Sequence, residues 1–206
     1  RLVGEKPRAL HDNIRAQLNV LEAVAQLGLA SRVLVVGSSE EYGVIDPERL
    51  PVDEDTPLRP TSPYAVSKVT QDLLGLQYWL CSQVDAVRVR PFNHIGPRQR
   101  RGFVAPDFAS QIAEIEAGMR PPTLSVGTLD VARDFSDVRD IVRGYHLALT
   151  QGKPGEVYNL GAGEAHSVRE LLDILLAAAS VPVEVVQENS RMRSVDVPLV
   201  VADCRR

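Results

Sequence analysis

Apolar residues keep helical spacing over residues 9–29, where Leu10, Ile14, Leu18, Leu21, Val24, Ala25 and Leu27 form one stripe and Gly28 supplies a stop. The period then changes. Val33-Leu-Val-Val36 is a short run rich in β-branched residues, the pattern of a strand buried on both faces of a parallel sheet. It runs into Gly37-Ser-Ser-Glu-Glu-Tyr-Gly43, a hydroxyl-rich loop of the kind that collects ligands at strand ends in open α/β sheets.

A loop over residues 44–61 follows, broken by Pro47, Pro51, Pro57 and Pro60, with Asp53, Glu54 and Asp55 expected in solvent. Pro63 opens a second helix, capped by Ser62 or Thr61 and running to about Ser82. Val69, Leu73, Leu76 and Leu80 are its expected core stripe. A strand over 86–90 ends in Pro91-Phe-Asn-His-Ile-Gly-Pro97. Further helices are predicted from Gly102 to about Gly118, over 137–150 and over 168–179. The helix over 137–150 should face inward with Val138, Ile141, Val142, Tyr145 and Leu149; the one over 168–179 carries a capping box, Ser167 with Glu170. Strands are predicted over 123–127, 156–161 and 182–187, and the glycines of Gly161-Ala-Gly163 read as a turn. The alternation implies an α/β protein with a Rossmann-like parallel sheet.

Composition narrows this only at the edges. Hydrophobic content of 44% and charged content of 24% are ordinary for a globular chain of 206 residues. The 27 acidic residues outnumber the 23 basic ones, which argues against a nucleic-acid partner. No apolar run approaches the roughly 20 residues of a membrane span, so no membrane partner is expected. Two cysteines, Cys81 and Cys204, suit a reducing compartment, and the cytoplasm is the expected location. No metal site is predicted.

Tyr64 and Lys68 carry the candidate chemistry. Four residues apart on a helix, they share one face. An ammonium beside a phenol favours the phenolate and is expected to draw the Tyr64 pKa down, so that the tyrosine can exchange a proton with a sugar or alcohol hydroxyl. Many such pairs are only solvated helix faces; here a serine, the tyrosine and the lysine all arrive at neighbouring strand ends.

The motifs S-S-E-E-Y-G, S-P-Y-A-V-S-K, R-P-F-N-H-I-G-P and A-R-D-F-S-D-V, in that order, resemble the extended short-chain dehydrogenases/reductases, the nucleotide-sugar epimerase/dehydratase family. The likeness runs through nearly the whole chain. Within the family it is greatest to GDP-4-keto-6-deoxy-mannose reductases, with GDP-mannose 4,6-dehydratases next. The resemblance implies NAD or NADP as cofactor and a GDP-activated 6-deoxy-hexose as substrate. Ser38, Tyr64 and Lys68 would be catalytic, and Tyr64, Lys68 and His94 would touch the cofactor. Ser39, Asn93, Arg133 and Arg193 would bind the substrate. Asn13 would help seat a water near the lysine. Glu40 either removes a sugar proton, as in the dehydratases, or only hydrogen-bonds the sugar or its own loop. A homodimer is implied for the full-length protein.

Residues 1–97 and about 130–150 are expected to form a partial dinucleotide-binding domain, and about 98–129 with 151–206 a smaller α/β substrate domain. No strand followed by G-x-G-x-x-G occurs, so the sequence reads as the family entered partway and stopped early. On that reading this stretch alone is expected to turn nothing over. A non-catalytic piece and a nucleotide-sugar epimerase are the alternatives.

Overall fold

The computed structural model describes residues 5–82, 84–191 and 197–206. In chain order it begins with α1 (Glu5–Gln26), β1 (Val33–Val36), α2 (Pro63–Ser82), β2 (Ala86–Pro91) and β3 (Asn93–Ile95). Next come α3 (Val104–Glu116), β4 (Thr123–Val126), β5 (Ala132–Asp137), α4 (Val138–Gln151) and β6 (Val157–Leu160). The last elements are β7 (Ala165–Ser167), α5 (Val168–Ala177), β8 (Glu184–Gln187) and β9 (Leu199–Val200).

β1, β2 and β6 form a parallel sheet in the order β1-β2-β6, with Val33 opposite Ala86 and Arg88 opposite Val157. Parallel neighbours require a crossover, and α2 supplies it between β1 and β2. Helices cover both faces, α2 with α1 packed against it on one and α4 on the other. That is why all six residues of β2 are buried. Leu21, Val24, Tyr78, Val84 and Ala86 pack between α1 and α2; Val87, Val89 and Ala148 pack beneath α4. A second sheet joins β3, β5, β7 and β9, and a third pairs β4 with β8 under α3 and α5, around Phe108, Ile112, Leu124 and Leu172.

Three expectations change. β6 belongs to the first sheet, so residues 157–160 leave the segment assigned to the substrate domain; alternate residues Val157 and Asn159 are buried there. On α4, Ile141 is buried but Val142 is 57% exposed and Leu149 38%. On α2 the stripe is rotated: Leu73 and Leu80 are 51% and 68% exposed, while Ser67, Gln71, Asp72 and Gly75 are buried. The cause is the strand beneath. β2 presents Arg88 and Arg90 on one face, and Asp72 Oδ2 accepts from both, Arg88 Nη1 at 3.1 Å and Arg90 Nη2 at 2.6 Å. Gly75 lets the helix come close, since a Cβ there would stand 2.9 Å from Val35 Cγ2.

Removing one partner of a buried ion pair strands the other charge in the interior. Asp72→Ala is therefore expected to lower stability by about 3–5 kcal/mol. Asp55→Ala, at a side chain 79% exposed, is expected to stay within about 0.5 kcal/mol. Urea unfolding of the two variants checks the contrast.

Candidate active site

The end of β1 turns sharply. Ser38 caps a short 3-10 turn, Ser39–Glu41, with its Oγ accepting from Glu40 N at 3.2 Å. Glu41 completes a capping box, its Oε1 accepting from Ser38 N at 2.8 Å. Tyr42 drops into the core, donating to Asn159 Oδ1 at 2.7 Å. Gly43, at a φ of 56°, closes the loop where a Cβ would stand 1.8 Å from Arg59 O.

Tyr64 is the second residue of α2, and it lies close enough to Ser38 for the serine to act on its pKa. Lys68 Nζ sits 5.9 Å from the centroid of the Tyr64 ring and donates to Val36 O at 2.9 Å. The three side chains therefore meet at the end of β1. Burial raises the Tyr64 pKa; Ser38 opposes the rise, and Glu40 and Glu41 add to it. This reverses the expected depression: with the Lys68 ammonium engaged on a carbonyl, partial burial beside two carboxylates wins. Burial likewise lowers the Lys68 pKa, against the attraction of Glu41.

Asn13 reaches Ser67 rather than a backbone group, donating to its Oγ at 3.1 Å, and Ser67 Oγ donates to Tyr64 O at 2.7 Å. Gln71 Nε2 donates to Asn13 O at 2.9 Å and Gln17 Nε2 to Gln71 O at 2.6 Å, so polar side chains lock α1 onto the helix that carries Tyr64.

The remaining predicted residues take varied places. Glu40 is exposed and Ser39 half-buried on the turn. Asn93 is exposed where β3 begins, and the ring Nδ1 of His94 pairs with Phe92 O at 3.0 Å. On β5, Arg133 Nη1 donates to Ala132 O at 2.8 Å and to Val197 O at 2.7 Å, a role in joining β5 to the C-terminal segment. Arg193 lies outside the described residues. In the basic stretch, Arg101 pairs with Glu114 at 2.5 Å. The 161–163 turn folds onto Asp134, whose carboxylate accepts from Ala162 N at 2.7 Å and Gly163 N at 2.9 Å, so these amides serve the fold. A cleft of about 330 Å³ between α4 and β6 includes none of Ser38, Tyr64 or Lys68.

Sequence reasoning overlooked the floor of the site. Glu41 and Asp72 are fully buried, and Arg90 is only 4% exposed between them. The signal was present: arginines at alternate positions of an otherwise apolar strand, Ala86-Val-Arg-Val-Arg90, call for buried acids.

The comparisons agree with this architecture. The GDP-6-deoxy-D-mannose reductase of Pseudomonas aeruginosa is 39% identical over 186 residues, covering 90% of this chain and 61% of that protein. A dTDP-glucose 4,6-dehydratase of Streptomyces griseus is 38% identical, with 81% of this chain and 48% of that protein covered. Among solved structures, RMD from Pseudomonas aeruginosa complexed with NADPH superposes with a TM-score of 0.88 at 36% identity, covering 96% of this chain and 68% of that one. The chain thus spans about half to two thirds of the length of these proteins. The profile described as GDP-mannose 4,6 dehydratase matches residues 4–205. With the serine, tyrosine and lysine gathered at one strand end of a Rossmann-like sheet, the chain belongs to the GDP-mannose 4,6 dehydratase family of extended short-chain dehydrogenases/reductases.

Proposed function

We propose that the full-length protein reduces the 4-keto group of a GDP-6-deoxy-hexose, using NADH or NADPH as the hydride source. The observation that carries this is the placing of Ser38, Tyr64 and Lys68 at the end of β1, with the Lys68 ammonium 5.9 Å from the centre of the Tyr64 ring. The donor set fits a nicotinamide nucleotide: Lys68 spends one of its three donors on Val36 O and keeps two for ribose hydroxyls, and Tyr64 is 47% exposed at the strand end. His94, in β3 just beyond the end of β2, is assigned to the cofactor in this reading.

Reduction needs a group that arrives protonated. The raised pKa of Tyr64 keeps its phenol protonated at neutral pH, so Oη can donate to the oxygen that forms at the sugar carbon. Ser38 Oγ hydrogen-bonds that oxygen as charge develops, and Lys68 stabilises the phenolate left behind. Ser39 and Asn93 line the sugar side, and Arg133 with Arg193 is assigned to the diphosphate. Dehydration of GDP-mannose is the second reading, favoured by Glu40, which is exposed and close enough to Tyr64 to raise its pKa. The 39% identity to a reductase supports the first.

The cytoplasm is the proposed location, supported by two cysteines that form no disulfide and by the lack, among the described residues, of any helix long and apolar enough to cross a membrane. A homodimer is proposed through α1 and α2. Val66, Leu73 and Leu80 recur every seven residues on the outside of α2, and Val20 is 53% exposed on α1. Light scattering on the full-length protein is expected to give twice the chain mass, and a monomer would contradict it.

In the full-length protein, Tyr64→Phe is expected to lower kcat for the keto sugar by ~10² or more. KM for the nucleotide sugar should hardly move, because the phenol acts on charge that develops only during reaction. Steady-state kinetics with NADPH measures both, and near-normal turnover would remove Tyr64 from the mechanism.

A further inference from the structure

A buried carboxylate directly behind a proposed catalytic serine needs a reason. Glu41 is fully buried; Ser38 N donates to its Oε1 at 2.8 Å, and Arg90 Nε stands 3.2 Å from Oε2 as an ion pair without hydrogen-bond geometry. The chain makes room for it. A Cβ on Gly37 would stand 2.2 Å from Glu41 Oε1, so glycine is required before Ser38 for the carboxylate to reach that amide. Its anchor is itself fixed, because Arg90 Nη2 donates to Asp72 Oδ2 at 2.6 Å on the helix that bears Tyr64 and Lys68.

We infer that Glu41 is a positioning residue for the proposed reduction: its carboxylate, anchored on Arg90, holds the Ser38 backbone so that the serine and Tyr64 meet at the end of β1. The inference depends on the reductase reading above for its catalytic consequence. The site asks Glu41 for an acceptor toward Ser38 N and a negative charge toward Arg90. An ionised carboxylate offers them, whereas a protonated carboxyl or a glutamine amide points a donor at Ser38 N or at Arg90, and one contact is lost.

The charges around Glu41 decide when it is ionised. From α2 it faces Asp72 and Lys68, with Tyr64 above them in sequence; from β2 it faces Arg90, with Arg88 two residues earlier. Glu40 and Tyr42 stand on its own turn, and Glu54 enters from the 44–61 loop, accepting from Asn159 N at 2.7 Å. Burial and Asp72 push the Glu41 pKa up, Arg90, Ser38 N and Lys68 pull it down, and the balance is about 7. Above that value both contacts hold; below it one fails.

The test uses the full-length protein and two readouts. In the wild type, kcat should fall on the acid side of about 7, and the Ser38 amide proton in 15N–1H spectra should shift through the same transition. Glu41→Gln should lose both transitions, with kcat lowered about 10–100-fold and KM for the nucleotide sugar within about twofold of the wild type. A Ser38 amide indifferent to pH across the neutral range overturns the inference, and it needs no variant to be seen. So does a Glu41→Gln enzyme with the wild-type pH profile. A titrating amide in a protein that reduces no keto sugar would uphold the Glu41 anchor and defeat the reductase reading instead.

Discussion

One guanidinium ties the first half of this protein together. Arg90 on β2 meets Asp72 on α2 at 2.6 Å, Glu41 on the serine turn at 3.2 Å, and the Tyr42 hydroxyl and Glu54 carbonyl each at 3.1 Å. A buried charge is tolerable only when opposite charges and acceptors surround it, and here Nη1 and Nη2 hydrogen-bond three partners while Nε faces the Glu41 carboxylate. Strand, helix, turn and loop are thereby fixed to one point. The polar underside of α2 follows from it, since a helix lying over Arg88 and Arg90 must present Asp72 where an apolar residue would otherwise sit.

The site inherits this frame. Ser38 is carried by the turn that Glu41 holds, and Tyr64 and Lys68 by the helix that Asp72 holds. From the other side, the chain Asn13–Ser67–Tyr64 ties the same helix end to α1. The side chains that meet at the strand end are thus placed by buried polar contacts on both flanks. In the proposed reduction, such placement lets three ordinary residues act on one oxygen. The partial burial that accompanies it raises the Tyr64 pKa and so keeps the proton that a reduction must deliver.

Much of this was legible in the chain. The α1 stripe was legible over most of its length, with Leu21 fully buried, and so was its Gly28 stop with φ of 58°, although Leu27 at its end is 70% exposed. The capping box of Ser167 and Glu170 formed for the same local reasons that define its pattern. Apolar periodicity failed on α2 and α4. It assumes that the inward face is the oily one, and α2 turns Asp72 inward to meet two arginines while Leu73 and Leu80 face out. The motifs located Ser38, Tyr64 and Lys68, but no pattern announced Glu41, whose burial depends on Gly37, Arg90 and the packing of separate elements. Nor did spacing show that Arg133 would join backbone carbonyls, or that Asp134 beside it would tie the 161–163 turn to Ala202 N at 3.1 Å.

A site that delivers a proton during reduction of a keto sugar is distinguishable from one that removes a proton to expel water. Incubating the full-length protein with GDP-mannose in deuterated water, with catalytic NADP and no reductant, separates the two by mass spectrometry. The account predicts unchanged GDP-mannose, and turnover only when GDP-4-keto-6-deoxy-mannose and NADPH are supplied. A dehydrated product carrying deuterium on the sugar would contradict it.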